Sequence, residues 1–193
     1  MPTCKRRERM AKVASARQAG LVVVLEDIHD PHNAEAALRS CDAFGVYQVH
    51  LVFVEETMFN PRRIGESSSS SANKWLEFTT HQSTAACVDM LRSTGHTLVA
   101  TSPNRTATPL PEAPLKDQRM AIWFGNEHRG LSETALSAAD MRITIPLIGM
   151  VHSINISVAV AITLYEATRQ RQGPAYNLRQ AAINSLAQDY LHR

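Results

Sequence analysis

The chain has 193 residues, of which 44% are hydrophobic and 20% charged, and its net charge is +2. That length supports one well-filled domain rather than two, and the composition excludes a disordered, fibrous or membrane-embedded chain. Three cysteines, odd in number and without a C-x-x-C pair, give neither a disulfide framework nor a zinc ribbon, so reduced thiols and a cytoplasmic location are expected.

The first element is basic. Residues 1–20 carry Lys5, Arg6, Arg7, Arg9, Lys12 and Arg17 against Glu8 alone, so the rest of the chain holds a net −3 beneath the overall +2. A cationic arm on a mildly acidic body fits an anionic partner such as nucleic acid, and a solubilising helix equally. The β-branched run 21–25 is cut off at once by Glu26 and Asp27; it is too short for a membrane span and reads as a strand. Asp30-Pro31 then supplies a helix cap with proline at the first helical position, and Ala34, Ala37, Leu38 and Cys41 follow at helical spacing up to Gly45. Residues 46–54 read as the next strand, and 60–71, rich in proline, glycine and serine, as a long loop that includes the serine run 67–71 and ends at Lys74-Trp75.

The alternation continues with strands over 75–79 and 97–101 around a helix over 84–93 closed by Gly95. Pro103, Pro109, Pro111 and Pro114 make 102–117 another loop without regular structure. Residues 120–124 form a strand that runs into Gly125 and Gly130, Ser132 caps a short helix to Ala138, and 141–145 is the last strand. Strands and helices alternating in this way build an α/β domain, with a mostly parallel sheet and helices on both faces. The helix expected from about Ile154 to Gln170 has almost no polar face in its first three turns. One sheet covers only one side of it, so a second copy of the chain is expected to cover the other, giving a homodimer through 154–170. Gly173-Pro174 stops that helix, and 178–191 forms a final amphipathic one.

Three loops follow strands late in the chain: 102 onward, 125–130 and 146–153. Ligands of open α/β sheets bind at such carboxyl ends. The spacing Gly125-x-x-x-x-Gly130 is that of a phosphate-cradling loop, yet Leu131 stands where the lysine belongs and Glu127 would repel phosphate oxygens. Residues 27–33 contain no glycine, which argues against a dinucleotide fold. A ligand with a positive centre fits the loop better. His29 and His32 lack an evident third partner for a metal, and none is expected.

Three segments taken together resemble the three motifs of the SPOUT RNA 2′-O-methyltransferases: residues 32–45 with Asn33 and Arg39, the Phe-Gly-Asn-Glu of 124–127, and 145–159 from Ile145-Pro146-Leu147 onward. The similarity extends over nearly the whole chain and is strongest to the TrmH-type tRNA (guanosine-2′-O)-methyltransferases, which share the short basic leading helix, the Lys-Trp after a small-residue loop and a trailing helix. It implies a C-terminal deep trefoil knot, which nothing in the periodicity reveals. It also implies a basic extension over 1–20, a catalytic domain over 21–172 and a helical extension over 173–193.

The implied cofactor is S-adenosylmethionine, held by Thr101, Gly125, Ile145, Gly149, Met150 and Ile154. The implied catalytic set is Arg39, Asn33, Glu127, Ser153 and Asn155. Substrate contacts fall to Arg6, Arg7, Arg9, Lys12, Lys74 and Arg171. The implied substrate is tRNA, at the guanosine in position 18 of the D-loop; a ribosomal RNA or anticodon-loop ribose, or an RNA-binding module without catalysis, are the alternatives. Each residue also has a structural reading. Arg39 can pair with Glu35 four residues away, worth about 0.2–0.5 kcal/mol. Asn33 or Ser153 can cap a helix, and Arg171 can be a cation in a last helical turn. His128 stands where close relatives often carry lysine.

Overall fold

The computed structural model describes residues 3–64, 72–104 and 106–193; the serine run 67–71 lies outside them. The elements are α1 (Cys4–Ser15), β1 (Leu21–Glu26), α2 (Pro31–Ala43), β2 (Gln48–Val52), β3 (Glu77–His81), α3 (Thr84–Ser93), β4 (Thr97–Thr101), β5 (Thr108–Pro109), β6 (Met120–Phe124), α4 (Glu133–Ala138), β7 (Met141–Thr144), α5 (Ile156–Gln170) and α6 (Gln180–His192). The strands form one sheet in the order β3-β2-β1-β6-β4-β7-β5, and every pairing is parallel.

The central strands β1 and β6 are buried along their whole length, as unbroken apolar runs in a sheet covered on both faces must be. On one face Leu21, Val23, Ile122 and Phe124 pack with Ala34, Leu38 and Cys41 of α2 and with Val160, Leu164 and Ala167 of α5. On the other, Val22, Val24 and Trp123 meet Cys87 and Leu91 of α3 and Ala135 of α4. A third cluster, Met10, Ala14, Leu186 and Tyr190, joins α1 to α6 and rests on Tyr47 and Trp75, just ahead of β2 and β3. The two terminal helices therefore pack on each other at the amino end of those strands.

Several boundaries differ from the expected ones; β2 runs over Gln48–Val52 rather than 46–54, and α6 over Gln180–His192 rather than 178–191. Trp75 belongs to a short 3-10 turn over 72–75, and the strand placed at 75–79 runs over Glu77–His81. The proline-rich loop contains β5 and a 3-10 turn over 110–112; Pro109 is tolerated in β5 because that strand is the sheet's edge, where a missing N–H costs no ladder bond. The long helix starts at Ile156 with Asn155 as its cap, so Ser153 lies outside it. Along α5, Ile156, Val160, Thr163, Leu164 and Ala167 are buried, while Val158, Ile162 and Tyr165 form an exposed stripe. Among the described residues no helix is long and apolar enough to cross a membrane.

Candidate functional site

Because β1 pairs with β6, β6 with β4 and β4 with β7, the carboxyl ends of these four strands stand in a row, and the loops after them open on one edge of the sheet. The loop after β1 is shaped by Asp27, a left-handed residue (φ 49°) whose carboxylate accepts from the N–H groups of Val54 at 2.7 Å, Glu55 at 3.1 Å and Glu56 at 3.2 Å. Three bonds to one carboxylate offset the cost of that backbone conformation. The turn delivers Asp30, whose side chain accepts from His32 N–H at 2.9 Å and caps α2, so Asn33 sits in the helix's first turn.

The loop after β6 closes on itself. Asn126 and Gly130 exchange backbone hydrogen bonds of 3.0 and 2.9 Å, and a Cβ on Gly125 would lie 2.2 Å from the Gly130 carbonyl carbon. Gly130 adopts φ 72°, which favours glycine. The two glycines thus build a closed turn, and Leu131, buried at 8% exposure in the second core cluster, anchors it where a phosphate-binding loop would carry lysine. The buried Asn126 amide donates to the Asp27 carbonyl at 2.7 Å, and its oxygen accepts from His128 and Arg129 N–H groups. Glu26, 2% exposed, accepts from Thr84 Oγ1 and from the N–H and hydroxyl of Ser132, fixing the start of α4.

These two loops meet at Glu127. Its carboxylate accepts from the N–H of His29 at 2.9 Å, the N–H of Asp30 at 3.4 Å and Asn33 Nδ2 at 2.9 Å. Burial works to raise its pKa, but the bonds from His29, Asn33 and Asp30 outweigh burial and hold the carboxyl below its ordinary range. Asn33 Oδ1 in turn accepts from Asn155 Nδ2 at 2.9 Å, and Asn155 Oδ1 accepts from Ser157 N–H at 2.8 Å as the cap of α5. One residue from each of the three sequence segments thus joins a single hydrogen-bonded chain.

The other expected residues are distributed unevenly. Arg39 lies about 9 Å further along α2 than Asn33, with its side chain 55% exposed and Nη2 3.3 Å from Glu35 Oε1. Thr101 Oγ1 donates to the Trp123 carbonyl at 2.8 Å, tying β4 to β6 at the site's edge. Ile145 packs against the first core cluster, whereas Ile148 and Met150 are 105% and 95% exposed and a Cβ on Gly149 would meet nothing. Ser153 is exposed and Ile154 half-buried.

Arg171 does not face outward as a substrate contact would. It is 1% exposed, stacks on the Tyr176 ring, and donates to the Asp117, Ala19 and Gln118 carbonyls and to Gln18 Oε1. A guanidinium so enclosed serves the chain's own carbonyls rather than a phosphate. Arg17, counted in the basic arm, is likewise 1% exposed, bonded to Asp42, Tyr190 and the Trp75 carbonyl. Arg6, Arg7, Arg9, Lys12 and Lys74 are exposed. They belong to the α1–α6 end of the sheet, and the six residues of β1 set that end about 20 Å from Glu127.

Residues 20–165 match the SpoU rRNA Methylase family, three quarters of the chain. The chain belongs to this family. The match spans all three segments and stops before Arg171. Similar proteins include a tRNA (guanosine(18)-2′-O)-methyltransferase of Escherichia coli, 37% identical over 91% of this chain and 74% of that one, and another of Thermus thermophilus, 40% identical over 86% and 83%. The crystal structure of an A. aeolicus TrmH/SpoU tRNA modifying enzyme superposes with a TM-score of 0.84 at 28% identity, covering 97% of this chain and 95% of that one.

Sequence reasoning missed several residues that shape this SpoU site. Glu56 accepts from Arg129 Nη2 at 2.8 Å and lies 3.1 Å from His29 Nδ1; its carboxyl is lowered by His29 first and Arg129 after. His29 also meets the His128 ring edge-on at 5.7 Å. Asp27 and Asn126, which place both loops, look in the sequence like ordinary turn residues. Their role depends on partners 25 to 100 positions away, so local pattern carries no signal of it.

Proposed function

We propose that this protein is an S-adenosylmethionine-dependent tRNA ribose 2′-O-methyltransferase acting on guanosine 18, the reaction carried in the names of its Escherichia coli and Thermus thermophilus relatives. The observation that carries the reading is the chain Glu127–Asn33–Asn155, which fastens three loops together at the exit edge of the sheet. Such a fastening positions groups for transfer chemistry, where alignment of nucleophile and electrophile supplies much of the rate.

The donor set suits the cofactor. Thr101, Gly125, Ile145, Gly149, Met150 and Ile154 include no charged side chain; they offer backbone groups and apolar surface to an adenosine and a methionine chain, and Glu127 on the neighbouring loop is compatible with a sulfonium. Bound there, the cofactor supplies an electrophilic methyl group. Arg39, half exposed about 9 Å further along α2 than Asn33, holds an RNA phosphate and the 2′-oxygen as the hydroxyl loses its proton. An arginine with a pKa above about 12 serves this role by charge rather than as a base, and the phosphate takes part in deprotonation. Ser153 and Asn155 position the ribose.

The active form is a homodimer in the cytoplasm. Support comes from the exposed stripe Val158, Ile162 and Tyr165 on α5 and from the exposed Ile148, Met150 and Val151 in the loop before it. A second copy also answers a geometric problem, because α1 and the site lie at opposite ends of the sheet and an RNA gripped by one subunit's α1 can present its ribose to the other. The trefoil knot is the arrangement the family resemblance implies, and it agrees with the segment 110–117 lying against the end of α5, with Leu110, Ala113 and Leu115 buried and Gln170 bonded to Ala113 and Leu115.

The test is incubation of unmodified tRNA transcripts and, in parallel, ribosomal RNA transcripts with labelled S-adenosylmethionine and mapping of 2′-O-methyl groups, with Arg39→Ala as control. Label at guanosine 18 that is lost in the variant is expected. Label only in ribosomal RNA or at an anticodon base rejects the substrate, full activity of Arg39→Ala rejects the mechanism, and RNA binding without label rejects the enzyme.

A further inference from the structure

On the face of the sheet opposite α2 and α5, β2, β3 and α3 bring together three side chains that the methyl-transfer reading does not use. His50 is 6% exposed, Cys87 is fully buried and His81 half-buried. His81 Nε2 lies 3.1 Å from His50 Nδ1, Cys87 Sγ lies 3.8 Å from the same nitrogen, and all three atoms fall within 4.8 Å of one another. The placement follows from the strands. His81 pairs in register with Val52, two residues beyond His50, so both imidazoles project from the same face and stack at 5.1 Å with an interplanar angle of 24°.

One hydrogen bond accounts for the His50–His81 contact but not for the thiol brought to the same nitrogen. A neutral imidazole nitrogen has one in-plane lone pair, and His50 Nδ1 faces both a ring nitrogen and a thiol. Three ligand atoms around one point suit a cation better. Zinc–nitrogen bonds of about 2.0–2.1 Å and zinc–sulfur bonds of about 2.3 Å put tetrahedral ligand atoms about 3.3–3.6 Å apart, so the two pairs that include His50 Nδ1 need adjust by only a few tenths of an ångström, while the His81–Cys87 pair, within 4.8 Å, closes by up to about 1.2 Å through side-chain rotation. Two imidazoles and one thiolate are the donor types that select zinc over magnesium or calcium.

We propose that His50, His81 and Cys87 form a zinc-class metal site that clamps β3 and α3 onto β2. Loading exchanges the thiol proton for the ion: the S–H bond breaks, a metal–sulfur bond forms and one proton goes to solvent. Both imidazoles ligate in their neutral form, so loading takes no proton from them. Because the ion must displace the Cys87 thiol proton, affinity falls as the pH drops and the proton competes. The half-buried His81 gives the route from solvent. The three protein ligands leave the fourth position to water, and they lie on the sheet face opposite α2, which carries Asn33.

The experiment is titration of chelator-stripped, full-length protein with zinc alone, followed by uptake per chain, proton release and melting temperature, and repeated with cobalt to read the thiolate-to-metal absorption band. One zinc per chain at low-micromolar concentration, one proton released, a raised melting temperature and the cobalt band are expected. Cys87→Ser and His81→Asn, the latter at the more exposed ligand and so the safer variant for folding, should each weaken binding about tenfold or more. No stoichiometric uptake, or uptake without the cobalt band and unchanged in both variants, overturns the proposal; the second outcome assigns the ion to surface histidines such as His29 and His32.

Discussion

Asn33 is held at both ends of its amide: Nδ2 donates to Glu127 Oε1 at 2.9 Å and Oδ1 accepts from Asn155 Nδ2 at 2.9 Å. The two bonds fix which way the amide points, since a flip would set its NH2 against Asn155 Nδ2 and its oxygen against a carboxylate. Asn33→Asp places a second carboxylate beside Glu127 and removes the donor. A lost hydrogen bond to a charged group is worth about 1.5–3 kcal/mol, so kcat/KM for methylation should fall by about 10- to 100-fold. The check is steady-state kinetics beside a melting curve, and a variant as active as the parent removes Asn33 from the mechanism.

The same bonds make stability depend on pH. The Glu127 pKa is lowered in the folded state, so the carboxylate stabilises the fold above its unfolded value of 4.5, and that contribution is lost as pH falls through the lower folded value. The melting temperatures of the parent and of Glu127→Gln should therefore differ most above pH 5 and converge as the pH falls through the lower folded value. A gap constant from pH 3 to 7 argues that the carboxylate is not held by these bonds.

Much of the architecture was legible because period and punctuation agree. The runs 97–101 and 120–124 are apolar and bounded, and both strands occur at those limits. Asp30-Pro31 is the observed cap and first residue of α2. The placement of β5 was not legible, because four prolines read locally as irregular and only the edge position in the sheet permits a two-residue strand there. Arg17 and Arg171 misled for a related reason. Charge in a sequence implies solvent, and both are enclosed by carbonyls and rings supplied from distant elements. The three-segment resemblance named Asn33, Glu127 and Asn155, which the fold joins by hydrogen bonds, whereas Asp27 and Asn126 take their meaning only from the bonds they make across the fold.

The two glycines of the Glu127 loop should respond differently to alanine. At Gly125 the added methyl meets Gly130 and Leu131 backbone atoms at 2.2–2.4 Å, so the loop must open; a cost of about 3 kcal/mol or more and loss of methylation are expected. At Gly130 the methyl meets nothing, and the cost is that of the left-handed conformation, about 1–2 kcal/mol. Chemical denaturation of both variants checks the order, and equal destabilisation contradicts it.

Arg171 separates a structural role from a substrate role. Lysine cannot span the Ala19, Asp117 and Gln118 carbonyls with a planar fork, so Arg171→Lys should cost about 2–4 kcal/mol of stability while leaving KM for tRNA within about twofold. The opposite pattern, an unchanged melting temperature with a raised KM, restores the substrate contact expected from the sequence.

The exposed cations of α1 should act on RNA through charge alone. Arg6, Arg7, Arg9 and Lys12 all face solvent along one helix whose apolar side, Met10 and Ala14, is spent on α6. Each alanine substitution should leave the melting temperature unchanged and reduce the slope of log affinity against log salt by about 0.7–0.9 if that residue meets a phosphate. Binding isotherms between about 50 and 200 mM salt measure this, because counterion release dominates phosphate contacts in that range. Arg17→Ala is the informative contrast. Its guanidinium holds Asp42, Tyr190 and Trp75 rather than RNA, so it should lower stability with the salt slope unchanged. A helix whose four outer cations leave the slope intact is a solubilising element, and the RNA grip must then lie elsewhere.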